Sequence, residues 1–292
     1  MAARNQYCLS LAGITIALET DRMLTVGQEF EPFLTGEAAP DFQASFQQVE
    51  KLPDIPERVL HEDDCYRVHP DGHGGYLRSF FDAPRDLTAY AVADYDYESR
   101  KIRISYLKKG ALCVSQMHNS FFHLGLESIL LQENRLCLHA ACVKTHLGGI
   151  LFSGKSGIGK STQADLWCRY RGAKLINGDR PILSCTEGSW LAWGSPYAGS
   201  SRCHINEHVP VSAIVMLRQD ARCSLRRLDR SEAFRAIWSG LTMNSWNEKL
   251  VERAADLTLE LIHSVPVFEF CCMPEANAVD FLEGELRKSW NQ

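Results

Sequence analysis

The stretch Gly154-Lys155-Ser156-Gly157-Ile158-Gly159-Lys160-Ser161 fits the pattern G-x-x-x-x-G-K-[ST]. The apolar residues 149–153 precede it and predict a buried strand, and residues 162–167 follow it and predict the first turns of a helix. This strand–loop–helix order is the context in which the pattern forms a P-loop, which binds the phosphates of a nucleotide. The alternative is a glycine-rich turn with an exposed lysine, and the flanking strand and helix disfavour it.

The residue types of this loop suit a polyphosphate. Its glycines allow backbone conformations in which successive N–H groups point inward, and the N-terminal end of the following helix adds positive potential. We expect Lys160 to reach the β- and γ-phosphates and the Ser161 hydroxyl to bind Mg²⁺. The predicted nucleotide-binding residues are Gly154, Lys155, Ser156, Gly157, Ile158, Gly159, Lys160, Ser161 and Thr162.

Composition indicates a globular protein. The chain has 292 residues, of which 45% are hydrophobic and 23% charged, enough for one large domain or two ordinary ones. The net charge is −5 and the pI about 6.1. There is no basic excess of the kind that binds nucleic acid, so no nucleic-acid partner is expected.

The cysteine pattern and the first residues of the sequence bear on the cellular compartment of the protein. The 11 cysteines include no C-x-x-C pair, and the first residues contain no long apolar segment. No apolar run is long enough to span a membrane. We therefore expect a cytoplasmic protein with reduced thiols and no membrane partner.

The first third of the chain is predicted to be β-rich. Alternating apolar residues indicate strands near residues 14–18 and 42–46, and further strands are predicted at 76–81, 87–94 and 101–107. Residues 53–75 are polar and are predicted to be a loop. The His-, Asp- and Glu-containing segments 61–65 and 69–73 within it allow a metal site, but their spacing matches no established ligand pattern, and a solvated loop is favoured.

Strands and helices mix in the rest of the chain. We predict a helix at 121–133, a strand at 136–143 and a short strand at 174–177. A hairpin is predicted around Thr186-Glu187-Gly188, and a strand at 211–217. Helices are predicted to open at Ser231, to extend over 244–263 and to open again at Pro274 after a strand at 265–271. The fold class is therefore α/β (α+β), with a β-rich domain at residues 1–120 and a P-loop domain at residues 121–292.

Three side chains outside the loop are candidates for chemistry. Phosphoryl transfer to a hydroxyl needs a carboxylate that orients the acceptor, and Asp179, at the end of a short strand, is the best candidate. The alternative for Asp179 is a structural Asx turn. Arg180 either contacts phosphate or substrate or pairs with Asp179. His139 lies in an apolar segment, where a lone histidine is more often a hydrogen-bonded core residue. The small-residue segment 194–202 is suited to lie over a ligand.

Taken together, Leu138-His139, the Gly-x-Ser-Gly-Ile-Gly-Lys-Ser loop and Gly178-Asp179 resemble the HPr kinase/phosphorylase family. That family shares the phosphoenolpyruvate-carboxykinase-like P-loop fold. The resemblance implies that Lys160 binds phosphates, that Ser161 and Asp179 lie by Mg²⁺, and that His139 lies near the nucleotide as a proton relay or phosphate contact. The family usually has two adjacent aspartates where this chain has Gly178-Asp179.

A group of HPr-kinase-like proteins from peptide natural-product pathways, including lasso-peptide kinases, is similar over more of the chain. The similar segments are residues 121–131, 138–140, 177–181, 194–199 and 206–210. This resemblance implies a kinase that uses ATP and Mg²⁺ to phosphorylate a hydroxyl, most simply a serine, on a peptide or small metabolite. It also implies that Asp179, Lys160 and His139 are the catalytic residues.

Two alternatives to this kinase stay open. One is a nucleotide-binding regulatory protein without turnover, suggested by the single aspartate. The other is an HPr-type serine kinase/phosphorylase, or carboxykinase chemistry, from the same fold. The residues are also compatible with a homo-oligomer.

Overall fold

A computed structural model describes residues 4–36, 39–72, 75–83, 86 and 88–290. The chain divides into two compact units, Met1–Leu126 and Glu127–Gln292. The boundary predicted after residue 120 lies within the helix Met117–Leu124, shortly before this division. Each unit has its own sheet, and the fold as a whole mixes helices and strands, as the sequence predicts.

The sheet of the first unit has eight strands within the described residues, in the order β1-β2-β3-β8-β7-β6-β5-β4. The predicted alternation is confirmed, because Ile14, Ile16 and Leu18 are buried in β2 and the intervening residues are half-exposed. The strands are β1 Asn5–Leu11, β2 Ile14–Thr20, β3 Phe42–Gln48, β4 His61–Glu62, β5 Tyr66–Pro70, β6 Tyr76–Phe80, β7 Ala91–Asp96 and β8 Lys101–Tyr106.

The predicted loop at 53–75 is wrong in part, because β4 and β5 lie within it. Tyr66 and Val68 face the core, and β5 pairs antiparallel with β6, so tertiary pairing overrides the polar composition of the segment. His69 is buried and hydrogen bonds to Ser79 Oγ at 2.9 Å. His73, another histidine of the open metal-site alternative, lies outside the described residues. Among the residues that are described, no three potential ligands cluster as a metal site.

The helix predicted over 121–133 is two helices. The structure has α1 Ala111–Val114, α2 Met117–Leu124 and α3 Leu126–Gln132. Gly125 ends α2 with a φ of 63°, a left-handed conformation that glycine adopts easily. Residue 87, where the sequence predicts a strand to start, lies outside the described residues, and β7 begins at Ala91.

The second unit contains the strand that precedes the P-loop. Its main strand path runs β12-β10-β11-β15-β14-β13-β9, and β15 also pairs with β17, which pairs with β16. The strands are β9 Arg135–Cys137, β10 Ala140–Thr145, β11 Gly148–Ser153, β12 Lys174–Asn177, β13 Ile182–Thr186, β14 Ser189–Trp193, β15 His208–Gln219, β16 Ser224–Arg227 and β17 Val267–Cys272. The helices are α4 Lys160–Arg171, α5 Arg230–Trp238, α6 Glu248–Ser264 and α7 Ala276–Trp290.

Helices cover both faces of the β11 region. Ile150 and Phe152 pack into a cluster that contains residues of α4 and α7. Leu151, which points the opposite way, packs into a cluster with residues of α5 and α6. A strand buried on both faces explains the continuous apolar run before the glycine loop. The predicted strand and helix on either side of the loop are confirmed as β11 and α4.

Several predicted boundaries in this unit are wrong. The single strand predicted at 136–143 is split into β9 and β10, which pair with different strands. Helix α5 begins at Arg230 rather than Ser231, because Asp229 caps it and forms a capping box with Glu232. Helix α6 begins at Glu248 after the Asn247 cap, and α7 begins at Ala276, beyond Pro274. The predicted hairpin is confirmed by β13 and β14.

The helices of the described residues include none with the length and apolar character required to cross a membrane.

Candidate active site

The glycine loop connects the end of β11 to the start of α4. Gly157 and Gly159 have φ values of 76° and 108°, which side chains other than glycine rarely adopt. A Cβ added at either position would meet no atom within 4 Å, so the space above the loop is open. The loop therefore has the backbone conformation and the free volume that a bound anion needs.

The N-terminus of α4 has no side-chain cap. Its N-cap residue is Gly159, which makes no side-chain capping bond, and the first turn contains no acidic residue. The first N–H groups of a helix have no acceptor within the helix, and they favour an anion. These donors fit the phosphates of a nucleotide.

Lys160 lies beneath the loop with only 8% of its surface exposed. Its Nζ donates to the carbonyl oxygens of Gly154 and Lys155, both at 3.3 Å. Burial lowers the pKa of Lys160, the nearby Asp179 carboxylate opposes this shift, and Arg180 adds to it. A buried ammonium that is only partly compensated is suited to an added anionic ligand.

The other predicted loop residues lie where a ligand can reach them. Lys155, Ser156 and Thr162 are exposed, and Ser161 is half-exposed in the first turn of α4. Within the described chain, Ser161 makes no direct bond with Asp179. Ser161 follows Lys160, whose ammonium interacts electrostatically with the Asp179 carboxylate. The oxygen atoms of Ser161 and Asp179 are of the type that Mg²⁺ prefers, together with phosphate and water.

His139 and Asp179 form a pair beside the loop. The Nε2 atom of His139 lies 3.1 Å from Oδ1 of Asp179, and about 30% of each side chain is exposed. His139 lies in the break between β9 and β10, where its N–H donates to Gly240 O. Its carbonyl accepts a hydrogen bond from Ser153 Oγ, and Ser153 is the last residue before the glycine loop. The break between the strands is therefore what brings the His139 side chain to the phosphate site.

The charges around His139 oppose its protonation. Burial and the positive charge of Lys160 lower the pKa of His139, and Arg180 acts in the same direction. The carboxylate of Asp179 raises this pKa in opposition. Lys160, His139, Asp179 and Arg180 thus lie close enough to interact electrostatically, and one carboxylate faces two permanent cations. Such a site attracts further negative charge.

Arg180 makes two contacts within the protein that suit a structural role. Its Nε lies 3.5 Å from Asp179 Oδ2, and its Nη1 donates to Thr242 Oγ1. About a third of the side chain remains exposed. The pairing with Asp179 that the sequence left open is present, and the exposed third of the side chain is accessible to a ligand.

Asn177 is a site residue that sequence reasoning missed. Its Oδ1 accepts from the N–H groups of Asp179 and Arg180, at 2.9 and 2.7 Å. The Asx-type turn is therefore made by Asn177, and the Asp179 side chain is turned toward His139. The signal was present in the sequence, since an asparagine two residues before an aspartate at a strand end often makes this turn.

The small-residue segment after β14 packs directly against Asp179. A Cβ on Gly199 would lie 2.9 Å from the Asp179 Cβ, and a Cβ on Gly178 would lie 2.1 Å from Ser201 Oγ. The two glycines let the backbones approach, so residues 198–201 line one side of the Asp179 turn. The composition of residues 194–202 suits a segment that lies over a ligand, and the structure brings part of that segment to the candidate carboxylate.

Several solved structures are similar to part of this chain, and one of them is described here. No family model and no curated protein matches the chain. The structure of the Hpr(Ser) kinase/phosphatase from Coxiella burnetii is 16% identical, covers 52% of this chain and 89% of its own, and has a TM-score of 0.32. Because a TM-score this low does not establish a shared fold, we base the function on the geometry of the site.

Proposed function

We propose that the protein is an ATP-dependent kinase that transfers the γ-phosphoryl group to a hydroxyl, most simply that of a serine, on a peptide or small metabolite. The observation that supports this most directly is the Asp179–His139 pair, at 3.1 Å, beside an uncapped P-loop helix and its buried lysine. Binding of a polyphosphate and orientation of an acceptor hydroxyl need these two elements together.

The glycine loop is proposed to hold the nucleotide. The backbone around Gly157 and Gly159 and the uncapped first turn of α4 supply N–H donors. The ammonium of Lys160 supplies positive charge. Mg²⁺ fits the Ser161 hydroxyl and the Asp179 carboxylate, both oxygen ligands. When bound, ATP supplies the phosphoryl group and Mg²⁺ neutralises part of the phosphate charge.

The side chains of the proposed site then have separate roles. Lys160 stabilises negative charge that develops on the transferred group. Asp179 orients the acceptor hydroxyl and takes its proton, while the acceptor oxygen forms a bond to the γ-phosphorus and the bond from that phosphorus to the leaving ADP oxygen breaks. His139, held by Asp179, orients the carboxylate and can relay the proton onward.

A steric constraint explains why residue 178 is a glycine and not a second aspartate beside Asp179. Gly178 is buried, and any side chain there would meet Ser201 and the Ala198 carbonyl at 2.1 and 2.9 Å. A second aspartate at 178 therefore requires a different course of residues 198–201. One carboxylate is sufficient for a role as metal ligand or as base, so this difference is compatible with turnover.

Two parts of the chain are separate candidates for acceptor recognition. One is the exposed part of the 194–202 segment, which includes Tyr197, Ser200 and Arg202, and the other is the β-rich first unit. We also propose a cytoplasmic location and no nucleic-acid or membrane partner, from composition and charge. A homo-oligomer is compatible with the proposed function.

The test is transfer from labelled ATP. The protein is incubated with Mg²⁺, γ-labelled ATP and a panel of serine-containing peptides and small hydroxyl compounds. Mass spectrometry then measures whether the mass of each acceptor increases by one phosphate group. The proposed kinase gives labelled acceptor and one ADP per transfer. Lys160→Ala removes both, whereas Lys174→Ala, which changes an exposed lysine paired with Glu207, leaves both unchanged.

Other outcomes assign the alternatives. ATP binding by calorimetry without ADP formation on any acceptor would support the regulatory protein. Transfer to the HPr protein, or a requirement for phosphate or pyrophosphate, would support the HPr-type kinase/phosphorylase. No heat with Mg²⁺ and ATP would refute nucleotide binding altogether.

A further inference from the structure

Two fully buried polar side chains, Asn177 and Ser195, are bonded to each other behind the Asp179 turn. Asn177 Nδ2 donates to the carbonyl oxygen and to the Oγ of Ser195, each at 3.2 Å. With the two bonds that its Oδ1 accepts, Asn177 uses its complete hydrogen-bonding capacity. Ser195 Oγ donates to Arg180 O at 2.6 Å and accepts from Tyr197 N at 3.2 Å.

These bonds fix the backbone that bears the carboxylate. The N–H of Asp179 and both the N–H and the carbonyl of Arg180 are bonded to the side chains of Asn177 and Ser195. The fourth group, the Asp179 carbonyl, accepts from Ala140 N at 3.0 Å. Every backbone polar group of the two residues is therefore occupied, and Ala140 follows His139 directly. The turn is held from the β10 side and from the 194–197 side at once.

We propose that Asn177 and Ser195 are positioning residues that set the Asp179 carboxylate against His139 for phosphoryl transfer. Neither residue reaches solvent or a ligand, so each acts through Asp179. A buried polar pair with all its bonds made is costly to disturb, which suits a role in holding one geometry. This proposal rests on the proposed kinase function.

The deciding experiment is a double-mutant cycle between Ser195→Ala and Asp179→Asn. Displacement of a reacting group by about 1 Å costs up to about 100-fold in rate. We expect Ser195→Ala to lower kcat for transfer by about 10-fold or more, with the KM for ATP unchanged within about twofold, since it leaves the P-loop intact. In the Asp179→Asn background the same change should alter the residual kcat by less than about twofold, because its route of action is already removed.

Ser184→Ala is the matched control. Ser184 is another buried serine of this unit, and its Oγ accepts from Trp193 Nε1 at 2.8 Å, away from the Asp179 turn. Both serine variants should lose stability in thermal unfolding, but Ser184→Ala should keep the wild-type kcat. Equal losses of kcat for the two variants, or a loss from Ser195→Ala that is the same in both backgrounds, would overturn the proposal.

Hydrogen exchange separates this proposal from the proposed function, and its measurement on the unmutated protein does not require a variant to fold. In the unmutated protein the amides of Asp179 and Arg180 should be protected, and Asn177→Ala should increase exchange at both. Rapid exchange at these amides in the unmutated protein would overturn the positioning role even if transfer occurs. Absence of transfer with protected amides would refute the kinase and leave the hydrogen-bonded turn established.

Discussion

Nε2 of His139 lies 3.1 Å from Oδ1 of Asp179, although the two residues come from separate connections of the second unit's sheet. His139 lies in the break between β9 and β10, and Asp179 follows β12. Because β12 pairs with β10, the end of one strand lies beside the start of the other, and the Asp179 carbonyl accepts from Ala140 N. Sheet pairing thus assembles the pair that the proposed reaction needs.

The Asp179→Asn variant tests the carboxylate. An amide of the same size cannot accept the proton of the acceptor hydroxyl, so we expect kcat to fall by about 10²- to 10⁴-fold. If Asp179 also binds Mg²⁺, the Mg²⁺ concentration for half-maximal rate rises, whereas a base alone leaves it unchanged. Steady-state kinetics at varied Mg²⁺ measure both. Asp165→Asn, an exposed aspartate on α4, is the control, and transfer at the normal rate in Asp179→Asn would remove Asp179 from the mechanism.

The His139→Asn variant tests the partner of the carboxylate. We expect about a 10- to 100-fold loss of kcat, the usual cost of removing a hydrogen-bonded partner that orients a reactive ligand. Calorimetry should give unchanged ATP affinity, because Lys160 and the loop amides remain. His208→Asn, on an exposed histidine of β15, should have wild-type kinetics. Weakened ATP binding in His139→Asn with normal kcat at saturation would instead assign His139 a phosphate contact.

A pair of glycine variants isolates the contact between the 198–201 segment and Asp179. Gly199 and Gly188 both have positive φ, 55° and 78°. An alanine at either position costs about 1–2 kcal/mol for this backbone conformation, which thermal or denaturant unfolding measures. Only at Gly199 would the new Cβ also press on Asp179, at 2.9 Å, since at Gly188 it meets nothing. We expect Gly199→Ala to be destabilised at least as much as Gly188→Ala and only Gly199→Ala to lose kcat, and equal kcat in the two would contradict that contact.

The parts of the site that a local pattern encodes could be predicted from the sequence. The glycine loop, β11 and α4 follow from a motif within an apolar strand and a helix start, and the β13–β14 hairpin follows from its turn residues. The order of the strands in either sheet was not predictable, because pairing joins segments far apart in the chain.

The features that were missed depend on tertiary pairing or on a single backbone angle. Apart from His139 itself, residues 136–143 are all apolar, so the hydrophobic pattern predicts one strand and does not show the break that places His139 in the site. The helix over 121–133 has an unbroken apolar face, and only the left-handed Gly125 divides it. The role of Asn177 depends on Ser195, which another strand brings to it.

A buried histidine in the first unit predicts how stability depends on pH. His123 donates from Nδ1 to Asn119 O at 2.6 Å, and its Nε2 accepts from the Tyr90 hydroxyl at 2.9 Å, so the neutral ring satisfies both partners. Burial lowers its pKa to about 4, Asn119 opposes this shift, and Arg78 adds to it. The ordinary value of 6.5 applies to the unfolded chain.

Between pH 6.5 and about 4 the unfolded chain therefore binds a proton at this residue that the folded chain does not. The free energy of unfolding should fall as pH falls through this window, by about 3 kcal/mol at most from this residue. Denaturant unfolding at stepped pH measures the slope. His123→Leu should be less stable at pH 7 because Tyr90 and Asn119 lose their partner. Its free energy of unfolding should then fall less than that of the wild type between pH 6.5 and about 4. His118→Gln, an exposed histidine of the same helix, should keep the wild-type slope. An unchanged slope in His123→Leu would show that the folded and unfolded chains bind a proton at His123 equally, so that folding does not lower its pKa.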